Sequence, residues 1–144
     1  MVVREKAVEY TISASRNNSF DRVKIVTPES AYKVIREFYG DDILVYESVF
    51  ILLLDRSNTT IAYAKISQGG VAGTVVDNKI ICKYAIDSLA SGVIIAHNHP
   101  SGNLDPSPAD RQMGKRLRGA LEQLDIKLLD NLIITDSGFN SIDY

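Results

Sequence analysis

The spacing of hydrophobic and polar positions predicts three helices. Apolar residues recur on one face of each segment, at the three- and four-residue intervals of an amphipathic helix. The segments are TPESAYKVIREFYG (27–40), about 77–90 and about 108–123. Thr27 and Pro28 suit the N-cap and first turn of the first helix, which Gly40 ends. Gly92 is expected to end the second.

Shorter apolar runs between these helices predict the strands. The run DDILVYESVFILLLD is apolar on both alternating faces and predicts a buried central strand. The strands are expected at 8–13 (an edge strand), 41–55, 59–67, 93–98, and in IKLLD and LIITD, which a bend near Asp130 and Asn131 separates. Alternating helices and strands with a closing hairpin predict an α/β fold, a mixed β-sheet flanked by helices in a single domain.

Composition narrows the class of protein. A chain of 144 residues, 45% of them hydrophobic, can bury one ordinary core. The single cysteine, Cys82, excludes an intrachain disulfide, and the charged start MVVREKAVEY lacks the apolar run of a signal peptide. No stretch approaches the ~20 apolar residues of a membrane span. These features predict a cytoplasmic protein without a membrane partner.

Both histidines of the chain lie in the stretch IIAHNHPSGNLDPSPAD. His97 and His99 occupy alternate positions at the end of a predicted strand, so their imidazoles share one face. Pro100 ends the pairing of that strand, and the pair therefore opens into a loop. Two imidazoles converging on one point favour a divalent metal, although a His-x-His pair alone is weak evidence.

A third ligand is available where the next helix begins. SPAD predicts Ser107 as N-cap, Pro108 in the first turn and Asp110 at the third helical position. Such a start would hold the Asp110 carboxylate in a fixed place, and the loop around Gly102 would fold it back toward the histidines. The alternative is equally open at this point: Asp110 and Ser107 can cap the helix without any metal.

The whole stretch HNHPSGNLDPSPAD resembles the metal-binding motif of the JAB/MPN (JAMM) metalloprotease domain, and most closely its RadC-like branch, whose members are labelled as DNA-repair proteins. His-x-His-Pro-Ser-Gly and the following Pro-Ser-x-x-Asp are both present, in order. YESVFILLLD, GGVAGTVVDNKIICKYAI and LLDNLIITD also resemble segments of that family. The resemblance covers 24–144 and leaves 1–23 as an N-terminal extension.

The resemblance implies a role for each residue of the motif. His97, His99 and Asp110 would bind one Zn²⁺ per chain, Glu47 would be the general base for the water that the metal activates, and Ser107 would bind that water or the developing oxyanion. Glu47 supports this independently, because a carboxylate in an apolar segment is costly to bury without a reason. The alternative is that Glu47 lies at an exposed strand end or pairs with a lysine.

The chain departs from the family pattern at two places. Asn131 follows Asp130 where the family commonly has histidine, which puts a supporting role for that position in doubt. Family members also often carry an N-terminal helical domain associated with DNA binding. A function that needs that domain is expected to come from a partner or to be absent.

The residues leave three functions open. The leading one is a zinc-dependent hydrolase, of metallopeptidase or isopeptidase type, that acts on a peptide or protein substrate. A DNA-processing or DNA-binding factor is the second, through Arg111, Lys115 and Arg118 on one face of the last helix. Since the net charge is −2, nucleic-acid binding would rest on that local patch, which is more simply a solvated helix face. A non-catalytic, metal-stabilised interaction module is the third.

Overall fold

The structure is a computed structural model and describes residues 6–9, 11, 20–69 and 75–142. The edge strand predicted at 8–13 falls largely outside these ranges. No helix in the described ranges is both long enough and apolar enough to cross a membrane.

In the part of the chain that the structure describes, three α-helices form where the apolar spacing predicts them. They are α1 (Pro28–Arg36), α2 (Asn78–Asp87) and α3 (Pro108–Glu122). Thr27 caps α1 as expected, because its hydroxyl accepts a hydrogen bond from the Ser30 amide. Gly92 does not end α2 as predicted: the helix stops at Asp87, and the backbone then turns through Leu89, which has a positive φ of 53°.

Within the described ranges five strands form one mixed sheet, which confirms the predicted fold class. They are β1 (Ser48–Leu54), β2 (Thr60–Gln68), β3 (Gly92–Asn98), β4 (Lys127–Ile134) and β5 (Phe139–Ser141), and they lie in the order β2-β1-β3-β4-β5. The β3–β4 pair is parallel and the other pairs are antiparallel. The central strands β1 and β3 are buried along their whole length because helices cover both faces of the sheet.

Each face of the sheet has its own apolar core. On one face α1 packs against Phe50, Leu52 and Ile94, and on the other α2 and α3 pack against Ile51 and Ile95. Alternate residues of β3 therefore point to opposite cores. His97 points to the side of α2 and α3, whereas Asn98 points to the side of α1.

The prediction of one long strand over 41–55 is wrong in its first half. Asp41–Leu44 is a 3-10 helix, and β1 starts only at Ser48. Leu44, Val45 and Tyr46 are exposed although they are apolar. Their apolar character imitates a strand in sequence, but hydrogen bonds from the Asn98 side chain to the carbonyls of Ile43 and Tyr46, not ladder pairing, tie this segment to β3.

The two strands predicted in IKLLD and LIITD are instead the single strand β4. The break in alternation near Asp130 is real, but its cause is a β-bulge and not a bend between strands. Val93 pairs with Leu128 and Ile94 with Asp130, so Leu129 is the extra residue. The closing hairpin joins β4 to β5.

Candidate metal centre

Both histidines lie at the carboxyl end of β3, beside the loop that leads to α3. His97 is the penultimate residue of the strand, and its side chain is only 2% exposed. His99 lies just beyond the strand, and its amide still donates to the carbonyl of Ile134 on β4, at 3.0 Å. Parallel pairing with β4 thus fixes the backbone of both residues and holds their imidazoles on the same face.

The two imidazoles and one carboxylate meet at a single point. The Nε2 atoms of His97 and His99 are 3.1 Å apart. The Nε2 atom of His97 is 3.4 Å from Oδ1 of Asp110, and that of His99 is 3.4 Å from Oδ2. This places two imidazole nitrogens and the two oxygens of one carboxylate around a common point.

Asp110 caps the helix and also faces the histidines. Its amide donates to the Ser107 hydroxyl at 3.0 Å, and its carboxylate accepts from the Ser107 amide at 2.8 Å, which completes a capping box. The helix cap that the sequence left open is therefore present, and the same carboxylate lies within 3.4 Å of both imidazoles. The cap holds the carboxylate rigidly while its oxygens point at the imidazoles.

Glu47 brings a second carboxylate to the same point. It lies immediately before β1, not within a strand as predicted, and it is half-buried. Val49 pairs with His97, so continuing that antiparallel register by two residues places Glu47 opposite His99. One ligand atom from each of Glu47, His97, His99 and Asp110 lies within 4.8 Å of the others.

The loop between β3 and α3 fixes the orientation of His99. Gly102 adopts a positive φ of 84°, which turns the chain back as the sequence suggested. Nδ1 of His99 lies 2.6 Å from the carbonyl of Asn103, a group that can only accept, so Nδ1 carries the proton. In the neutral imidazole this tautomer leaves the lone pair of Nε2 directed at the centre, whereas the doubly protonated ring donates from Nε2 to Asp110. Asn140 on β5 supports the loop by donating to the carbonyl of Leu104.

The electrostatics of the site favour a cation. Burial opposes ionisation of Asp110, but hydrogen bonds from His97, His99 and the Ser107 amide outweigh it and hold the pKa of the Asp110 carboxyl well below its ordinary value. The hydrogen bond to Asp110 raises the pKa of the His99 imidazole, although burial opposes this, and the Asn103 carbonyl adds to the increase. A divalent ion would satisfy both imidazole nitrogens and the carboxylate at once.

The donor set fits zinc. Two imidazole nitrogens and one carboxylate oxygen are the ligands of catalytic zinc sites, which leave the fourth position open. His99 also has the outer hydrogen bond that orients a ligating histidine. His97 differs, because its buried Nδ1 has no hydrogen-bond partner among the described residues.

Two clefts meet at this centre, one on each side of Glu47 and Asp110. The cleft beside α3 has a volume of about 350 Å³ and is lined partly by apolar residues, with Val49, Val76 and Met113 among them. The cleft beside the loop has a volume of about 720 Å³ and is bordered by Leu44 and Val45 on one side and the 99–107 loop on the other. The point where the ligand atoms converge is therefore bordered by a cleft on each side.

The predicted basic face of α3 does not line the metal centre as a unit. Arg118 hydrogen-bonds to Glu122 at 3.3 Å and borders a different cleft, beside Asp130 and Asn131. Arg116, which the sequence reasoning did not single out, borders the cleft beside the centre.

Two residues that support the site, Asn98 and Asn103, were not predicted from the sequence. Asn98 hydrogen-bonds to the segment that leads to Glu47, and the carbonyl of Asn103 accepts from the imidazole of His99. The only signal for Asn98 was its place between the histidines, where strand alternation turns its amide toward the opposite, apolar core. Asn103 acts through its backbone carbonyl, so its side-chain identity carried no signal.

The fold and the site define a class: an α/β domain with a mixed sheet and a His-His-Asp centre, with a glutamate beside it, at the end of its central strands. Residues 25–144 match the family described as RadC-like JAB domain. The chain belongs to that family.

Relatives of similar sequence occur in several bacteria. The chain is 42% identical to the "UPF0758 protein" of Flavobacterium johnsoniae over 82% of this chain and 51% of that protein. It is 40% identical to the "UPF0758 protein" of Porphyromonas gingivalis over 81% of this chain and 51% of that protein. The chain spans about half the length of these curated relatives.

Proposed function

We propose that this domain is a zinc-dependent hydrolase that cleaves amide bonds of a peptide or isopeptide type. The observation that carries the proposal is the meeting of Glu47, His97, His99 and Asp110, whose ligand atoms lie within 4.8 Å of one another. A purely structural zinc site would be closed by four protein ligands. If His97, His99 and Asp110 hold the ion, the fourth position stays open and the Glu47 carboxylate lies beside it at the border of the two clefts.

His97, His99 and Asp110 would hold the zinc ion. A zinc ion bound there supplies Lewis acidity, which lowers the pKa of water toward about 7 and polarises a carbonyl oxygen. The capping box and the His99–Asn103 hydrogen bond keep the ligands in place before any metal arrives. The site is therefore preorganised, which reduces the cost of binding.

Glu47 would act as the general base and then as the general acid. Its carboxylate takes a proton from the attacking water and passes it to the nitrogen of the leaving amine, so that one group serves both steps. Ser107 is exposed, and its hydroxyl oxygen accepts from the Asp110 amide. Its own proton remains free to donate to the oxyanion that develops on the substrate carbonyl.

The two clefts support a polypeptide substrate. An extended chain placed across Glu47 would have one pocket on the side of Met113 and a second on the side of Asn103, and each is lined by both apolar and polar residues. JAB domains include metalloproteases, and the RadC-like assignment agrees with this chemistry. The DNA-directed alternative rests on Arg111, Lys115 and Arg118, which do not jointly border the centre, so a salt-sensitive DNA interaction would have to be shown separately.

The test is turnover of peptide and isopeptide-linked substrates by the zinc-loaded protein, compared with Glu47→Gln. We expect Glu47→Gln to keep zinc and to lose about 10²–10⁴-fold in kcat, the range for removing a general acid–base group. Glu29→Gln, which neutralises an exposed carboxylate on α1, is the matched control. Full activity of Glu47→Gln on a substrate that the native protein cleaves would exclude this mechanism.

A further inference from the structure

Asn98 separates the two histidines and points away from them. Because side chains alternate along β3, its amide enters the core on the side of α1, where it is completely buried. A buried amide in an apolar core is costly unless its hydrogen bonds are made. Asn98 therefore needs partners, and it has them.

All the partners of Asn98 belong to one short segment. Its Oδ1 accepts from the Ser48 amide at 2.7 Å. Its Nδ2 donates to the carbonyls of Ile43 at 2.9 Å and Tyr46 at 2.8 Å, which uses both of its protons. The segment before Ser48 is not part of β1, and the side chain of Asn98 supplies hydrogen bonds that tie it to β3.

Glu47 lies between two of these anchor points. Asn98 holds the residue before Glu47 and the residue after it, and Gly69 donates to the carbonyl of Glu47 itself at 2.8 Å. Tyr39 adds a fourth tie by donating to the carbonyl of Ser48 at 2.8 Å. The backbone of Glu47 is therefore fixed on both sides, and its side chain is left to point toward the histidines.

We propose that Asn98 is a positioning residue that sets the distance between Glu47 and the metal ligands. His97 and His99 lie directly before and after Asn98 in the chain, so three consecutive residues at the end of β3 would hold the metal on one face and place the general base from the other. The inference rests on the proposed function in one respect: Glu47 must be the base. Asn98 itself does not contact substrate or the reacting atoms.

The experiment combines two substitutions of Asn98 with Glu47→Gln. Asn98→Leu removes all three hydrogen bonds at similar volume, and Asn98→Asp keeps the acceptor for the Ser48 amide but turns a carboxylate toward two carbonyls. Thr60→Val is the matched control, because it removes a buried acceptor for the Val23 amide at the other end of β1. All three variants leave the zinc ligands intact and are expected to bind zinc as the native protein does.

We expect each Asn98 variant to lose about 10²-fold in kcat with little change in KM, because a misplacement of about 1 Å has a cost of that order. Glu47→Gln should then cost much less in the Asn98→Leu background than in the native protein, since a displaced base has little left to lose. Thr60→Val should keep native kcat. If Glu47→Gln reduces kcat by the same factor in the Asn98→Leu background as in the native protein, the proposal is overturned.

Crystal structures of the zinc-loaded variants separate this inference from the proposed function. If the native protein cleaves no substrate, the hydrolase proposal fails, but the position of Glu47 still decides the role of Asn98. We expect its carboxylate to move by about 1 Å or more in Asn98→Leu, the scale at which catalysis suffers, or in Asn98→Asp should Asn98→Leu not fold. An unmoved Glu47 carboxylate in a folded variant would overturn the positioning role.

Discussion

The two ends of β1 both carry a cluster of polar side chains, but the clusters are built in opposite ways. At the far end, Oδ1 of Asp55 accepts from the amides of Ser57 and Thr59 and from the Ser57 hydroxyl, and Oδ2 accepts from Arg22, so both carboxylate oxygens have partners. At the near end, the outer nitrogen of His99 binds the carbonyl of Asn103, whereas the inner nitrogens of His97 and His99 face each other and the Asp110 carboxylate.

The difference distinguishes a structural cluster from a binding site. Polar atoms that bond to one another locally stabilise a turn and leave nothing for a ligand. When hydrogen bonds to surrounding residues orient several ligand atoms toward one point, and no donor lies between them, a cation can occupy that point. Substitutions at the two ends of β1 should therefore have different effects, and they test whether the near end is a binding site.

The largest expected effect is the loss of metal in Asp110→Asn. The amide oxygen can still accept from the Ser107 amide, so the helix cap survives while a charged zinc ligand is removed. Zinc at a thousand times its Kd should stabilise the native protein by about 4 kcal/mol and should stabilise the variant far less. Thermal unfolding with and without zinc measures this, and equal zinc-induced shifts in Tm would show that Asp110 is not a ligand.

Ser107→Ala should separate capping from catalysis. It removes the hydroxyl that caps α3 and should reduce the free energy of unfolding by about 1 kcal/mol. Thr27→Ala removes the equivalent cap of α1, far from the centre, and should cost about the same. Only Ser107→Ala should also reduce kcat, by roughly 10²-fold if its hydroxyl stabilises an oxyanion. Equal kcat values for the two variants would leave Ser107 with a capping role alone.

The smallest expected effect concerns acid stability at the far end of β1. The Ser57 hydroxyl, followed by the Thr59 amide, lowers the pKa of Asp55 from 3.8 to about 2. A depressed carboxyl pKa contributes stability above the ordinary value that is lost as the pH falls through the folded value. Asp55→Asn should therefore flatten the decline in stability between about pH 4 and 2, measured by urea unfolding, whereas Asp21→Asn, at an exposed site, should leave it unchanged.

The parts of the site that the sequence predicted are local in the chain. The capping box of Ser107 and Asp110 spans three positions, and the alternation of His97 and His99 follows from one strand, so a short motif contains the information. Glu47, by contrast, is supported by Asn98. The side chain of Asn98 accepts from the amide of Ser48, which lies fifty positions earlier in the sequence. No local pattern contains that contact.

The elements of the fold also divide into those that a local pattern predicts and those that depend on distant contacts. Helices with a clear apolar stripe were predicted, whereas the exposed residues Leu44 and Val45 imitated a strand because burial, not apolarity, decides strand pairing. The bulge at Leu129 was visible as a break in alternation, but its interpretation required the register against β3. Tertiary contacts decided each of these points.

The most direct test of the central claim is the zinc content of the native protein, purified without a histidine tag and measured by elemental mass spectrometry after zinc is added and the excess removed. The geometry of His97, His99 and Asp110 predicts close to one zinc ion per chain. A protein that retains no zinc under these conditions would contradict the account, and the near end of β1 would then be a helix cap beside two histidines.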